Sequence, residues 1–138
     1  MRGFAQEITR AQDALAQITG QRPRFFRAPA GLRNPFLAPV LHTLQLELVS
    51  WTRRGYDTVR REPERVLARI CDGLGAGDIL LLHDGHAART GTGEPVVLAV
   101  LPVLLERIAA AGLHPTTLAD ALPEPREAAT GSFAAATQ

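Results

Sequence analysis

The sequence predicts an α/β fold of parallel strands alternating with helices. Three observations predict it. Helix-patterned and strand-patterned stretches follow one another along the chain, the connections between them are short, and residues 79–82 (ILLL) form a continuous apolar run of the length expected for a strand buried on both faces. Each pair of consecutive strands then has a helix between them, which is the crossover that parallel pairing requires. The chain has 138 residues and 46% hydrophobic content, enough to bury one core.

The first element is a helix: Phe4, Ile8, Ala11, Leu15 and Ile18 recur at spacings of four and three, with Gln6, Glu7, Arg10, Asp13 and Gln17 between them, and Gly20 stops it. Residues 24–27 read as a short strand running into the Pro/Gly loop APAG. Asn34 and Pro35 then supply an N-cap and first helical position for PFLAPVLHTL. LELVSW, residues 46–51, is strand-like, and RRGYDTVRRE is polar and loop-like. Pro63 begins a third helix with Val66, Leu67, Ile70 and Leu74 on its apolar face, and Gly75 and Gly77 punctuate its end. After the 79–82 strand and the loop HAARTGTGEP comes a fourth helix, residues 96–111, in which Pro102 either occupies the first turn or introduces a kink. Gly112 ends it, and a last strand runs through Thr116, Thr117 and Leu118. The segment 123–138 lacks periodicity and is expected to be a disordered tail behind a domain spanning 1–122.

Charge and composition narrow the function classes. Lys plus Arg number 15 against 14 Asp plus Glu, with no basic stripe and no acidic block, which points away from nucleic acid and anionic membranes and suits a neutral or small polar substrate. No apolar run approaches the roughly 18 to 20 residues of a membrane span, and the opening MRGFAQEITRAQ lacks the apolar segment of a signal peptide. This leaves the compartment undetermined. The single cysteine, Cys71, sits in a helical stretch as a core residue.

In parallel α/β folds reacting groups gather where strands end, because the loops that follow form the mouth of the site. Three strand ends here carry unusual residues: Arg27 with Pro29 and Gly31, then residues 51–57, then His83 with Asp84. Each also has a plain structural reading. A histidine at a strand end often serves as a hydrogen-bonded scaffold residue, Arg27 could close a salt bridge, Trp51 could be core, and Asp84 suits a loop cap better than catalysis. His86 reads as a solvated loop residue, since a zinc site needs three or more converging ligands and only His83 and Asp84 stand near it. His42, among apolar helical neighbours, reads as structural.

Taken together, FFRAPAG, VSWTRRGYD and LLLHDG resemble the third, fourth and fifth motifs of the NodB-type polysaccharide deacetylases, carbohydrate esterase family four. They occur in the family's order, and the resemblance extends over most of residues 5–120. It implies a partial, irregular (β/α) barrel and hydrolysis of acetyl groups, from amide or ester, on an acetylated carbohydrate. In that chemistry a metal held by two histidines and an aspartate polarises the carbonyl, a second aspartate is general base, and a histidine protonates the leaving group. By position, His83 matches the general acid, Arg27 the arginine that orients the base, and Asp57 the carboxylate partner of Arg27. Trp51 and Leu82 resemble the apolar wall that receives the acetyl methyl, with Pro29 beside them as a substrate contact.

The departures carry implications of their own. The family's Asp-Asp pair and its pair of spaced histidines have no counterpart, since His42, His86 and His114 do not reproduce the spacing, and Arg54 and Thr58 stand where many relatives have aspartate and tryptophan. The resemblance therefore implies no metal ligand in this chain, a divalent metal such as zinc in the complete domain, and a C-terminal portion inactive alone. The alternative is a non-catalytic remnant that binds glycan or a partner chain, with self-association through an open sheet edge as a further expectation.

Overall fold

The computed structural model describes residues 2–32 and 35–122. Helix α1 (Arg2–Thr19) ends where expected: Gly20 takes a left-handed φ of 73° and its N–H donates to the Ala16 carbonyl at 2.9 Å. Its contact face is narrower than the sequence pattern implies. Ile8 and Gln12 are buried and Phe4 packs on the core, whereas Leu15 and Ile18 are 48% and 81% exposed. The packed stripe thus covers only the first half of the helix.

Strand β1 (Phe25–Phe26) pairs in parallel with β2 (Glu47–Leu48), Phe25 opposite Glu47 and Phe26 opposite Leu48. Helix α2 (Leu37–Thr43) crosses between them and buries Leu37 and Leu41. Pro35 lies in the turn before α2 rather than at its first position, and Asn34 lies outside the described residues.

The strand anticipated over 46–51 continues further and changes partner. After β2 the chain bends at Thr52 and re-forms as β3 (Arg53–Arg54), which pairs in parallel with β4 (Leu80–Leu81). The start of the stretch read as polar loop is therefore strand. Thr52 makes the switch possible: its backbone N–H donates to the Ile79 carbonyl, and its hydroxyl both donates to Asp78 and accepts the Ile79 N–H. These bonds satisfy backbone groups that would otherwise be orphaned at the change of partner.

Helix α3 (Pro63–Cys71) starts on its proline as predicted, and Val66, Leu67 and Ile70 are buried against Val96, Val100, Leu104 and Ile108 of α4 (Val96–Ala110). Leu80 and Leu82 pack on this cluster from the strand side. A second cluster, Ile8, Ala28, Leu37, Leu41 and Leu46, gathers under α1 and α2. Pro102 lies past the first turn of α4 on its exposed side, where the missing N–H removes a hydrogen bond at the solvent face.

The strand expected through Thr116, Thr117 and Leu118 is absent. Thr117 instead caps a one-turn helix, α5 (Leu118–Ala121): its hydroxyl oxygen accepts the Asp120 N–H at 3.2 Å and the hydroxyl donates to the Asp120 carboxylate at 2.7 Å. Local capping outweighs the β-propensity of two threonines where no strand among the described residues pairs with them. The tail expected at 123–138 lies outside the described residues. The architecture is α/β with two short parallel pairs.

Candidate active site

Both parallel pairs deliver their C-terminal ends to one cleft of about 480 Å³, lined from the β1 end by Arg27, Ala28, Pro29 and Ala30, from the β2–β3 run by Trp51, Arg54, Tyr56 and Thr58, and from β4 by Leu81 and His83. Of the residues singled out from sequence, the cleft brings together Arg27, Pro29, Trp51 and His83.

The outer edge of the Trp51 ring reaches the turn that follows β1. Gly31 has φ 73°, and a Cβ there would stand 2.8 Å from the Trp51 ring, so only glycine lets the indole approach this closely. The Pro/Gly turn of the sequence is thus half of a joint whose other half is the tryptophan 20 positions later.

Asp57 and His83 form the most tightly built part of the site. Asp57 follows β3 and is 1% exposed. One carboxylate oxygen accepts the backbone N–H of His83 at 2.7 Å, and the other lies 2.9 Å from His83 Nδ1. A single buried carboxylate thus grips both the backbone and the ring of one residue. With Nδ1 occupied, Nε2 is the ring nitrogen left for the cleft, and the His83 side chain is 40% exposed there. The Asp57 carbonyl also accepts the Ala88 N–H at 2.7 Å, tying the loop after β4 to the same point.

Two expected placements are corrected. Asp57 was matched with Arg27, but its carboxylate is engaged by His83. Arg27, at the end of β1, donates instead to the Ser50 carbonyl of the neighbouring strand run at 3.5 Å. Leu82 was assigned to the pocket wall, but it packs on the α3–α4 core while Leu81 lines the cleft. Successive strand residues point to opposite faces, so Leu80 and Leu82 share the core side and Leu81 the cleft side. For the same reason the 79–82 run is half-buried, not enclosed on both faces.

Sequence reasoning missed Tyr56. It has a left-handed φ of 59°, unusual for a residue with a bulky side chain, and two guanidinium groups lie over its ring, that of Arg54 at 3.9 Å from the centroid and that of Arg69 of α3 at 4.9 Å. The guanidinium of Arg54 also sits 5.9 Å from a Trp51 ring centroid. The YD dipeptide gave no local signal for this, because the stack depends on an arginine from another element.

Beneath the site, Asp78 accepts from the Arg53 guanidinium, the Thr52 hydroxyl and the Gly75 N–H. These donors, with Arg53 first among them, hold its carboxyl down to about 2. Arg53 also donates to the carbonyls of Asp72 and Gly73. The end of α3, β3 and the entry to β4 are fastened together by this one network. Among the described residues, no group of three or more His, Cys, Asp or Glu could hold a metal ion.

Comparison with known proteins matches residues 2–49 to the family model of polysaccharide deacetylases. A chitooligosaccharide deacetylase of Azorhizobium caulinodans is 35% identical over 80 residues, covering 57% of this chain and 38% of that protein. The solved family 4 carbohydrate esterase from Streptomyces lividans, in complex with acetate, superposes with a TM-score of 0.72 at 28% identity, over 84% of this chain and 56% of that one. Over residues 2–49 the chain is thus similar to the polysaccharide deacetylase family, and its fold is similar to that of a family 4 carbohydrate esterase. The chitin deacetylase of Colletotrichum lindemuthianum shares the fold, with a TM-score of 0.70 at 20% identity over 90% of this chain and 57% of that one. The chain spans little more than half of either solved relative and 38% of the curated one.

Proposed function

We propose that the cleft is the leaving-group side of a deacetylase site, in which His83 protonates the departing nitrogen or oxygen as an acetyl group is hydrolysed from an acetylated carbohydrate. The observation that carries this reading is the Asp57–His83 pair: a buried carboxylate fixes a half-exposed imidazole by ring and backbone, leaving Nε2 for the cleft. In the reaction, the water oxygen bonds to the acyl carbon and gives up a proton to solvent, the bond from that carbon to the sugar heteroatom breaks, and the heteroatom takes the Nε2 proton of the doubly protonated His83 ring, which regains a proton from solvent. Asp57 acts through His83 and is a positioning residue. Trp51, Pro29 and Leu81 supply apolar surface for the acetyl methyl, and Arg27 supplies positive charge at the opposite lip.

The strands are read as a segment of the irregular (β/α) barrel of the family, since the likeness to the Streptomyces lividans esterase extends over 84% of the chain and each pair is parallel with helices between. A divalent metal is part of the family resemblance, but the described residues offer no set of ligands for one, and no step is assigned through it. The chain is accordingly proposed to be inactive by itself, its residues serving one half of the site. Among the described residues no helix is long and apolar enough to cross a membrane.

Acetate release from an acetylated chitooligosaccharide by the complete domain tests the reading. Loss of an acid catalyst costs about 10²- to 10⁴-fold, so H83A should lower turnover by at least that lower bound. Turnover unchanged in H83A would reject His83 as the acid, and a complete domain that releases no acetate would reject the deacetylase reading.

A further inference from the structure

We propose that Arg54 makes this cleft selective for acetylated sugars that carry a carboxylate near the acetyl group. The inference rests on the reading of the cleft as a sugar site and adds the class of sugar. Among the described residues, every charged side chain that lines the cleft is basic. Asp57 lies buried below and is committed to His83.

Arg54 is the exposed cation in this lining that is held by rings. Its guanidinium stacks on Tyr56 at 3.9 Å and stands 5.9 Å from the Trp51 ring centroid. A guanidinium stacked by its face keeps its in-plane N–H groups free, and that fork matches a carboxylate edge-on. The platform is also costly to build: Tyr56 adopts a left-handed backbone at φ 59°, and a second guanidinium, that of Arg69, lies 4.9 Å from the same ring centroid. Strain of this sort persists where the surroundings over-determine it and clusters at ligand clamps. Here it orders a long cationic side chain at the rim before any ligand arrives, which lowers the entropy cost of capturing an anion.

The chain has one tryptophan, Trp51, and it lies beside Arg54 in the cleft, so its fluorescence reports occupancy directly. The 138-residue chain is titrated with N-acetylglucosamine and with N-acetylmuramic acid, which share the acetamido group and differ by a lactyl carboxylate. The acidic sugar should bind at least about tenfold more tightly, as expected for a charge-assisted bidentate contact. That ratio should fall to about one in R54Q and shrink steeply as salt is raised. R54K, which keeps the charge without the planar fork, should retain only part of it.

Equal affinity of the unmodified chain for the two sugars overturns the inference and leaves the sugar-site reading standing, as does a preference that survives R54Q. Binding of neither sugar overturns both. Circular dichroism of R54Q and R54K identifies any variant that has lost its fold, and a preference of the unmodified chain that does not weaken with salt overturns the inference without them.

Discussion

At the scale of the residue, the site is organised by one buried carboxylate. Asp57 is enclosed, and its two oxygens face two N–H positions of the same histidine, at 2.7 and 2.9 Å. If Asp57 is the acceptor in both, the neutral His83 ring carries its proton on Nδ1 and keeps the Nε2 lone pair toward the cleft. Long-range nitrogen NMR of the labelled chain, at a pH where the ring is neutral, should show the Nδ1–H tautomer. D57N should erode that preference, because an amide can also present its N–H₂ to Nδ1. An Nε2–H ring in the unmodified chain would show that Asp57 does not position His83 in this way. The sequence revealed His83, Arg27 and Trp51 because histidine, arginine and tryptophan at strand ends are conspicuous. It did not reveal which carboxylate serves which base, since Asp57 lies 26 positions from His83 and 30 from Arg27 and only the fold selects between them.

At the scale of the element, the joint between β3 and α3 sets the height of the site. Gly55, directly after β3, is buried, and a Cβ there would stand 2.5 Å from Val66 Cγ1 and 3.0 Å from Ile70 Cδ1. G55A should therefore destabilise the chain by about 1–3 kcal/mol through overpacking, read as a lowered urea midpoint, and an unchanged midpoint would mean that α3 gives way freely. The Arg53–Asp78 network fastens the same joint from the other side. The carboxyl of Asp78 is depressed from 3.8 to about 2 in the fold, so its stabilising contribution is complete above about pH 4 and is lost as pH falls through about 2. D78N should accordingly differ most from the unmodified chain above pH 4, with the two urea midpoints converging toward pH 2. A constant difference across that range would assign the effect to something other than charge. The run from β2 to β3 was legible as strand only as far as Trp51, because Arg53 and Arg54 are polar and hold their place by ladder hydrogen bonds to β4, not by an apolar pattern. The capped turn at Thr117 escaped for the converse reason: a strand-like composition with no strand paired to it among the described residues.

At the scale of the whole molecule, two apolar clusters flank the parallel pairs, one between α3 and α4 and one under α1 and α2, and the cleft opens where the C-terminal ends of the strands meet. The alternation of helices and strands made this architecture readable, since apolar periodicity is dictated by the burial that α3 and α4 achieve. The faces left exposed were not readable: Leu15 and Ile18 on α1 and Leu98, Leu101 and Leu105 on α4 fit an apolar pattern but are not covered by the described residues. Periodicity records which face is apolar, not what meets it. The central claim, that this chain presents a sugar-binding cleft at those strand ends, is tested most directly by titrating an acetylated chitooligosaccharide into the nitrogen-labelled chain and mapping the amide shifts. The account predicts shifts concentrated at residues 27–31, 51–58 and 81–83. Shifts that fall elsewhere, on α1 or α4, or no shifts at all, would contradict it.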